Sequence, residues 1–412
     1  MLDSYRALDL ADERGLYCGK LLADLGCDVI KVEKPGGDSA RNIGPFYHDI
    51  PDCERSLSWF AYNTNKRSIT LNIETTGGQE IFKQLVKGAD FVIESFTPGY
   101  MDSLGLGYTM LSEVNPKIIM TSISPFGQTG PYKDYKGPDI VPMAMSGYMS
   151  LLGDPDRAPV RISVPQVYLH AATDAAIGTL VAHYHRRQIG EGQHVDVSAQ
   201  ESMVWLMFAV HLNWIEDRTI AGCRGGAFRT YPDRGTRQRL TYPCKDGAVG
   251  FTLFGGHIGA RMQRALVEWM DSEGMTNDFL KGMDWEGLDM YYATQEVIDQ
   301  IEEPITRFFL THSKQELYEG AVERRIILAP VSDVEYLAKS PQLDARGFWT
   351  KVEHTEIGVA ITYPGSFFKS TSTPQRIGRR APLVGEHNEE IYSKELGISQ
   401  EQLIVLNQDG II

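Results

Sequence analysis

The chain has 412 residues, of which 42% are hydrophobic and 23% charged, a composition typical of a globular protein too long for one ordinary core. Its formal net charge of −14 disfavours nucleic acid and anionic membranes as partners, because both require a clustered basic surface. The chain begins without a basic-then-apolar signal pattern and has no apolar run of about 18 residues, so we expect a soluble, cytoplasmic protein with reduced thiols at its five scattered cysteines, Cys18, Cys27, Cys53, Cys223 and Cys244.

Short apolar runs alternate with helical patterns along the first half of the chain. We expect strands at 6–10, 28–32, 68–72, 91–94, 118–122 and 193–197, and helices at 15–25, 78–87, 167–187 and from about residue 200. This alternation favours right-handed βαβ units and a mostly parallel sheet. The first strand is not followed by a Gly-x-Gly-x-x-Gly sequence, so a dinucleotide site is not predicted.

Residues 215–325 differ in character from the rest of the chain. Turns and short strands at 231–250 precede helices rich in Trp, Met and acidic residues, which predicts a second, smaller α+β domain. Short strands and turns return after 326, and a final helix is expected at 387–396. Four aromatic residues could line an acyl pocket, although their helical spacing favours a core position: Tyr148, Trp205, Phe208 and Trp214.

Seven stretches spread over nearly the whole chain resemble the class III CoA-transferases, the family of the formyl-CoA and carnitine-CoA transferases. They are LLADLG at 21–26, VIKVE at 29–33, NKRS at 65–68, LGLGY at 104–108, FGQTGPY at 126–132, GEGQHVDVS at 190–198 and RAPLVGEH at 380–387. The resemblance implies a Rossmann-like α/β large domain built from 1–214 and 326–412, with the small domain at 215–325 between them. It also implies interlocked dimers whose active sites draw on both chains. A coenzyme A thioester would be the substrate, and neither a metal nor a covalently bound cofactor is expected.

The family's catalytic group is an aspartate that takes the acyl group through mixed anhydrides, which is covalent catalysis by a carboxylate. Counting back without gaps from Gly178 and from the motif at 190–193, Tyr168 occupies that position. A phenol titrates near pH 10 and forms an ester that does not reproduce anhydride exchange. The nearby alternative acid is Asp174, six residues further along the helix and therefore on a different face.

The coenzyme pocket implied by the resemblance departs from the family pattern as well. Arg14 stands where a small residue precedes the glycine of the first helix, Glu74 replaces a lysine, and Ser103 replaces an arginine. Two cations are lost and one carboxylate is gained, and each phosphate contact contributes about 1.5–3 kcal/mol. The remaining pocket positions either still suit adenine and phosphate or are kept for folding: Glu13, Lys34, Leu71, Ser95, Phe96 and Lys136.

A racemase of the same superfamily would need a histidine within Gly-His-Asp and an aspartate at the place of Tyr168. This chain has Gly137-Pro138-Asp139, and proline is neither an acid nor a base, so racemase activity is disfavoured. Asp139 is expected to make a structural hydrogen bond. Gly255 and Gly256 are either the remnant of a loop over the partner's site or a simple turn.

These substitutions together favour a non-nucleophilic subunit. The partner would be a homologous chain that carries the aspartate and holds most of the coenzyme, in a heterodimer or a dimer of heterodimers. Such pairing occurs in the family among benzylsuccinate CoA-transferases, where succinyl-CoA is the donor. Two alternatives stay open: a competent homodimer with a relocated carboxylate, either Asp174 or a small-domain acid, and a non-catalytic binding or regulatory protein.

Overall fold

The computed structural model describes residues 1–154, 157–218, 225–231, 234–373 and 377–412. Cys223 and parts of the predicted segment 215–325 therefore lie outside the described residues. The chain forms two compact units. The first unit comprises Met1–Ser146, Ile162–Leu206 and Pro341–Ile412, and the second comprises Gly147–Arg161 and Met207–Ser340.

The strands of the described residues are β1 (Arg6–Asp9), β2 (Asp28–Glu33), β3 (Arg67–Thr70), β4 (Phe91–Glu94), β5 (Ile119–Ser124), β6 (His194–Ser198), β7 (Phe228–Tyr231), β8 (Thr236–Arg239), β9 (Thr241–Cys244), β10 (Gly247–Phe251), β11 (Leu328–Pro330), β12 (Trp349–His354) and β13 (Val359–Pro364). The α-helices are α1 (Leu16–Asp24), α2 (Leu57–Tyr62), α3 (Thr76–Lys87), α4 (Tyr100–Ser103), α5 (Tyr108–Val114), α6 (Ile140–Met145), α7 (Val167–Ile189), α8 (Ala199–Trp205), α9 (Phe208–Asp217), α10 (Gly256–Ser272), α11 (Asp278–Gly282), α12 (Gln295–Thr311), α13 (Lys314–Arg324), α14 (Val334–Ala338), α15 (Pro341–Ala345) and α16 (Gln400–Gln408).

A six-stranded sheet forms the centre of the first unit. Its order is β3-β2-β1-β4-β5-β6, and every neighbouring pair is parallel. Strands β4 and β5 are buried along their whole length, as expected when helices cover both faces of a parallel sheet. The predicted α/β class with a mostly parallel sheet is confirmed, and each of its six strands was predicted to within a few residues.

Residues near the C-terminus fasten the outer edge of this sheet. His387 N–H donates to Ser68 O at 2.9 Å, and the Asn388 side chain accepts from Thr70 N–H and donates to its hydroxyl. Tyr392 Oη donates to Thr70 O at 2.6 Å. The segment at 387–392 therefore serves the fold of the first unit, because it supplies polar partners to Ser68 and Thr70 on the open side of β3.

The prediction of a helix at 387–396 is confirmed in place, but this helix is not the last one of the chain. Residues Glu389–Glu395 form a π-helix rather than an α-helix, and α16 follows it. Ser399 and Gln402 make a capping box at the start of α16, a pattern that satisfies two backbone N–H groups. That signal is present in the sequence and was overlooked.

The second unit has its own core beneath two small antiparallel sheets, β11-β10-β9 and β7-β8. Tyr242, Phe251 and Phe309 meet edge to face, with ring centroids 5.4–5.6 Å apart. This packing shows why the aromatic and methionine-rich middle of the chain forms a compact unit. The second unit comprises Gly147–Arg161 and Met207–Ser340, whereas the predicted small domain was 215–325.

The suggested core position of three helical aromatic residues is wrong. Trp205 is 70% exposed, Phe208 61% and Trp214 49%. In the first unit, Ile177, Val181 and Tyr184 are spaced i, i+4, i+7 along α7; the exposed fractions of Val181 and Tyr184 are 63% and 68%. Helical spacing marks an apolar face, but it does not reveal whether the same chain or another one covers it.

Cys18, Cys27, Cys53 and Cys244 are free thiols. Within the part of the chain that the structure describes, no set of three His, Cys, Asp or Glu side chains is arranged to hold a metal ion. A search of the same residues finds no helix with the length and apolarity needed to cross a bilayer.

Candidate active site

The strand order of the central sheet reverses at β1, which lies between β2 and β4. In open parallel sheets, ligands bind outside the carboxyl ends of the strands at such a reversal. A cavity of about 740 Å³ lies there, within the first unit, and we call it the switch-point cleft. It is lined by Asp12, Glu13, Arg14, Leu16, Ala40, Ile43, Gly44, Pro45, Ser58, Tyr62, Thr97, Pro98, Pro125, Asp134, Tyr135, Lys136, Gly137, Pro138, Asp139, Ser163, Val164, Pro165, Tyr168 and Leu169.

Two buried lysines hold the loop that follows β1. Lys31 Nζ donates to Ala11 O at 2.6 Å, and Lys66 Nζ donates to Leu16 O at 2.8 Å. Lys66 also pairs with Asp9 at 2.8 Å, and both side chains are fully buried. A Cβ atom on Gly19 would lie 2.2 Å from this Asp9 carboxylate, so α1 can pack on the pair only with glycine there. The motifs around Lys31 and Lys66 thus position the cleft wall.

Arg14 reaches into this wall but its charge is already satisfied. Its guanidinium pairs with Asp12, with Nη2–Oδ2 at 2.5 Å and Nε–Oδ1 at 2.9 Å. Ser95 Oγ donates to the same carboxylate at 2.7 Å and accepts from Asp12 N–H at 2.9 Å. Burial disfavours the guanidinium charge, yet Asp12 outweighs that effect and raises the pKa of Arg14. Arg14 therefore contributes little free positive charge to the cleft.

Tyr168 lies in the first turn of α7 and is 8% exposed. Its hydroxyl donates a hydrogen bond to Gly137 O. Burial is the main cause that raises the pKa of Tyr168, and the charge of Arg14 only partly opposes it. The group at this position is therefore a neutral phenol near pH 7, already engaged as a donor, and a phenol in this state is a poor nucleophile.

Asp139 is the cleft acid next to Tyr168. One carboxylate oxygen accepts from Val167 N–H at 2.9 Å, which confirms the expected structural hydrogen bond. The other oxygen is buried and has no hydrogen-bond partner in the described part of the chain. Asp174, by contrast, is on α7 six residues beyond Tyr168 and does not line the cleft.

Negative charge predominates in the switch-point cleft. The lining includes four carboxyl groups and two cations: Asp12, Glu13, Asp134, Asp139, Arg14 and Lys136. Burial, and then the nearby Asp12 charge, raises the pKa of Glu13, as expected for a carboxylate in a site that already holds another. Such a site disfavours an anionic ligand.

A second group of the predicted residues meets at the carboxyl ends of β2, β3 and β4. Lys34 Nζ lies 3.0 Å from Glu74 Oε1, and Tyr100 Oη donates to the same oxygen at 2.7 Å. The Tyr100 ring packs on Phe96 with centroids 4.8 Å apart, and Ser103 Oγ donates to Tyr100 O at 2.7 Å. We call these five residues the Glu74 cluster. Leu71 belongs to the core beneath it, and Phe96 packs against that core.

The predicted residues therefore divide into two groups. Glu13, Arg14, Lys136 and Tyr168 line the cleft, and Ser95 supports it through Asp12. Gly255 and Gly256 belong to the second unit, where Gly255 lies too close to Leu288 O for a side chain and Gly256 begins α10. Tyr100 was not predicted as a site residue, although it lies three residues before Ser103, which was. It also overlooked Asp12, which no pattern marked.

Glu94 lies below the loop that carries Ser95 and Phe96. It is 4% exposed and accepts from Phe96 N–H at 2.7 Å. Burial is the main cause that raises the pKa of Glu94 to about 7, while a hydrogen bond from Ser122 acts in the opposite direction. Ser122 Oγ in turn lies 2.9 Å from His194 Nε2.

A sequence model of the family described as CoA-transferase family III matches residues 5–388. The chain is 35% identical over 391 residues to succinyl-CoA:(R)-benzylsuccinate CoA-transferase subunit BbsE of Thauera aromatica, covering 94% of this chain and 92% of that protein. It is 31% identical to the succinyl-CoA–D-citramalate CoA-transferase of Chloroflexus aurantiacus, covering 100% and 98%. A crystal structure of a CAIB/BAIF family protein from Brucella suis aligns with a TM-score of 0.79 at 28% identity, covering 95% and 98%.

Proposed function

Since the chain belongs to CoA-transferase family III, we propose that it is the non-nucleophilic subunit of a heteromeric CoA-transferase. Its donor would be succinyl-CoA and its acceptor an aromatic succinate such as benzylsuccinate, as the name of the Thauera relative suggests. A homologous partner chain would carry the aspartate that takes the acyl group. This chain would complete the partner's site and hold the assembly together.

The observation that carries the proposal is the phenol at residue 168. Acyl exchange through anhydrides requires a carboxylate that attacks the thioester and later releases the acyl group. Tyr168 is neutral, buried and hydrogen-bonded to a backbone carbonyl. It suits a role in closing the cleft rather than in covalent catalysis.

The charges in the switch-point cleft and in the Glu74 cluster support the proposal that the partner chain, rather than this one, binds most of the thioester. Arg14 is paired with Asp12, and Lys34 is paired with Glu74. A phosphate that approaches either cation also meets the carboxylate that is paired with it. Because each charge-assisted phosphate contact contributes about 1.5–3 kcal/mol, losing two of them lowers affinity by at least a factor of one hundred.

An exposed apolar stripe on α7 supports the need for a partner. Ile177, Val181 and Tyr184 are each more than half exposed and share one face of the helix. Contiguous apolar surface of this kind marks protein–protein contacts in soluble proteins. A relative with 35% identity is itself described as a subunit, which fits a second, homologous chain on this face.

Co-expression with homologous genes adjacent to this one tests the proposal. One homologous protein of similar size should co-purify with the affinity-tagged chain. The complex should transfer CoA from succinyl-CoA to at least one acceptor in a panel of dicarboxylates that includes benzylsuccinate. Hydroxylamine added during turnover should modify the partner and leave this chain unmodified in mass spectra. Transfer by this chain alone at the rate of the complex would contradict the proposal.

A competent homodimer with a relocated carboxylate is the second candidate, and one observation favours it. The free oxygen of Asp139 is buried beside Tyr168 in the switch-point cleft, where a reacting thioester would lie. Borohydride reduction during turnover would then label a peptide containing Asp139, and Asp139→Asn would abolish the label. An unlabelled chain in an active preparation would exclude this candidate.

A further inference from the structure

Residues 218–239 carry a charge opposite to that of the chain as a whole. This stretch contains six arginines and one acidic residue, a formal net charge of +5, whereas the whole chain has −14. Four of these arginines lie in the hairpin of β7 and β8: Arg229, Arg234, Arg237 and Arg239. A local excess of cations in an acidic protein indicates an anionic ligand.

The hairpin is fastened to the core of the second unit. The Gln238 side chain is fully buried and donates to a backbone carbonyl at 2.8 Å. The backbone N–H groups of Arg237 and Arg239 donate to Gln295 Oε1 at 2.8 Å and to Glu302 Oε1 at 2.6 Å, both on α12. The two arginines therefore project from a backbone that is fixed on both sides.

Arg237 and Arg239 lie on one aromatic ring. Their guanidinium carbons are 4.7 Å and 4.6 Å from the ring centroid of Phe228, which is opposite Arg239 in the strand register. Stacking occupies the face of a guanidinium and leaves the N–H donors at its edge open. Among the residues that the structure describes, none forms an ion pair or a side-chain hydrogen bond with either guanidinium.

The acids on α12 near these arginines are engaged elsewhere. Glu302 is 6% exposed and accepts from the Arg239 backbone. Burial is the main cause that raises the pKa of Glu302 to about 7, so this carboxyl is only partly ionised near neutral pH. Asp299 accepts from the Gln295 side chain at 2.7 Å. Two adjacent cations without a full counterion are unfavourable, and an anionic ligand would relieve this.

We propose that Arg237 and Arg239, supported by Phe228, bind the second carboxylate of a dicarboxylic acid, the one that stays ionised while the other is joined to coenzyme A. The inference rests on the proposed function and deepens it, because it names side chains with which this chain would complete the partner's site. Succinate and an aromatic succinate both keep such a carboxylate through the transfer, so one arginine pair serves donor and acceptor. A guanidinium pairs with a carboxylate through two parallel hydrogen bonds, which fix its direction.

The test is inhibition of the co-purified complex by succinate and by butyrate, which has the same chain length and lacks the second carboxylate. Succinate should inhibit the unchanged complex about tenfold or more better than butyrate, and Arg237→Gln/Arg239→Gln should bring the two inhibition constants together. Arg237→Lys/Arg239→Lys should keep part of the preference, because lysine retains the charge and loses the planar set of donors. The matched control is Arg307→Gln, at an exposed arginine on α12 of the same unit, and it should keep the whole preference.

An unchanged ratio of the two inhibition constants in a double glutamine variant that circular dichroism shows to be folded would overturn the inference. A purely structural role for the arginines gives that result, since it weakens both inhibitors equally. A loss of inhibition by ADP in place of the loss of succinate preference would assign the arginines to the coenzyme and would also overturn it.

The proposed function is decided separately, by co-purification and by which chain carries the acyl group. If no homologous partner co-purifies, the proposed function fails, and binding of succinate and butyrate to this chain alone, followed by NMR, decides the inference. The unchanged chain should then prefer succinate and the double glutamine variant should not. A chain without that preference would end the inference as well.

Discussion

Replacing Tyr168 by phenylalanine distinguishes a structural phenol from a catalytic one. The change removes one hydroxyl from a side chain that is 8% exposed and leaves Gly137 O without its donor. A net hydrogen bond contributes about 0.5–1.5 kcal/mol, and a buried acceptor left unsatisfied costs about 1–3 kcal/mol. We therefore expect the free energy of unfolding to fall by about 1–3 kcal/mol, while CoA transfer by the co-purified complex changes by less than about threefold, within the scatter such single contacts produce.

Urea denaturation of the isolated chain and initial rates of succinyl-CoA-dependent transfer measure the two quantities. Tyr62→Phe is the matched control, because Tyr62 is a second tyrosine on the wall of the same cleft. Removing a true nucleophile lowers kcat by several orders of magnitude. A loss of that size in Tyr168→Phe, with Tyr62→Phe unaffected, would refute the reasoning that the phenol only closes the cleft.

Three further predictions concern pH, the core and assembly. Burial raises the pKa of Glu94 to about 7, so the stability that its protonated form contributes is present at pH 4.5 and is lost as the pH rises through 7. In urea denaturation, Glu94→Gln should remove this pH dependence, which amounts to about 3 kcal/mol of unfolding free energy between pH 5 and 8. An equal pH dependence in both proteins would contradict the assignment. Arg41→Ala should destabilise the chain by about 3–5 kcal/mol in the same assay, because it leaves the fully buried Glu33 carboxylate without its 2.6 Å partner; a loss below 1 kcal/mol would contradict this. Val181→Glu should prevent co-purification of the homologous partner, and Lys87→Glu, an exposed charge change on α3, should not.

The central sheet was predictable because its strands are short, most of them contain a buried apolar run such as Phe91–Ile93, and helices separate most of them along the chain. A strand that is buried on both faces has hydrophobic residues at nearly every position, and such a continuous run is easy to find in a sequence. The spacing from Tyr168 to Gly190, where α7 ends, is the basis on which Tyr168 is assigned to the family's aspartate position, and that assignment stays a prediction. The cleft that Tyr168 lines requires the strand order, which no local pattern contains.

Other features lay beyond local patterns for physical reasons. Trp205 and Phe208 have the spacing of core residues, yet both side chains are more than half exposed, so the spacing alone does not distinguish a core face from an exposed one. Glu74 was predicted to reverse a charge, but its pairing with Lys34 depends on two loops that meet only in three dimensions. Asp12 satisfies Arg14 at a separation of two residues, a contact that depends on the loop conformation rather than on any repeat.

The fastening of β3 by the segment around Asn388 bears on how the protein reaches its native state. Thr70 and its partner Asn388 are 318 positions apart, so the ribosome must deliver almost the entire remainder of the chain before this edge is paired. Until then β3 presents an open, unpaired row of backbone groups, a form prone to associate with other strands. The second unit, whose residues emerge earlier, is free of this requirement, and nascent-chain proteolysis should find it protected first.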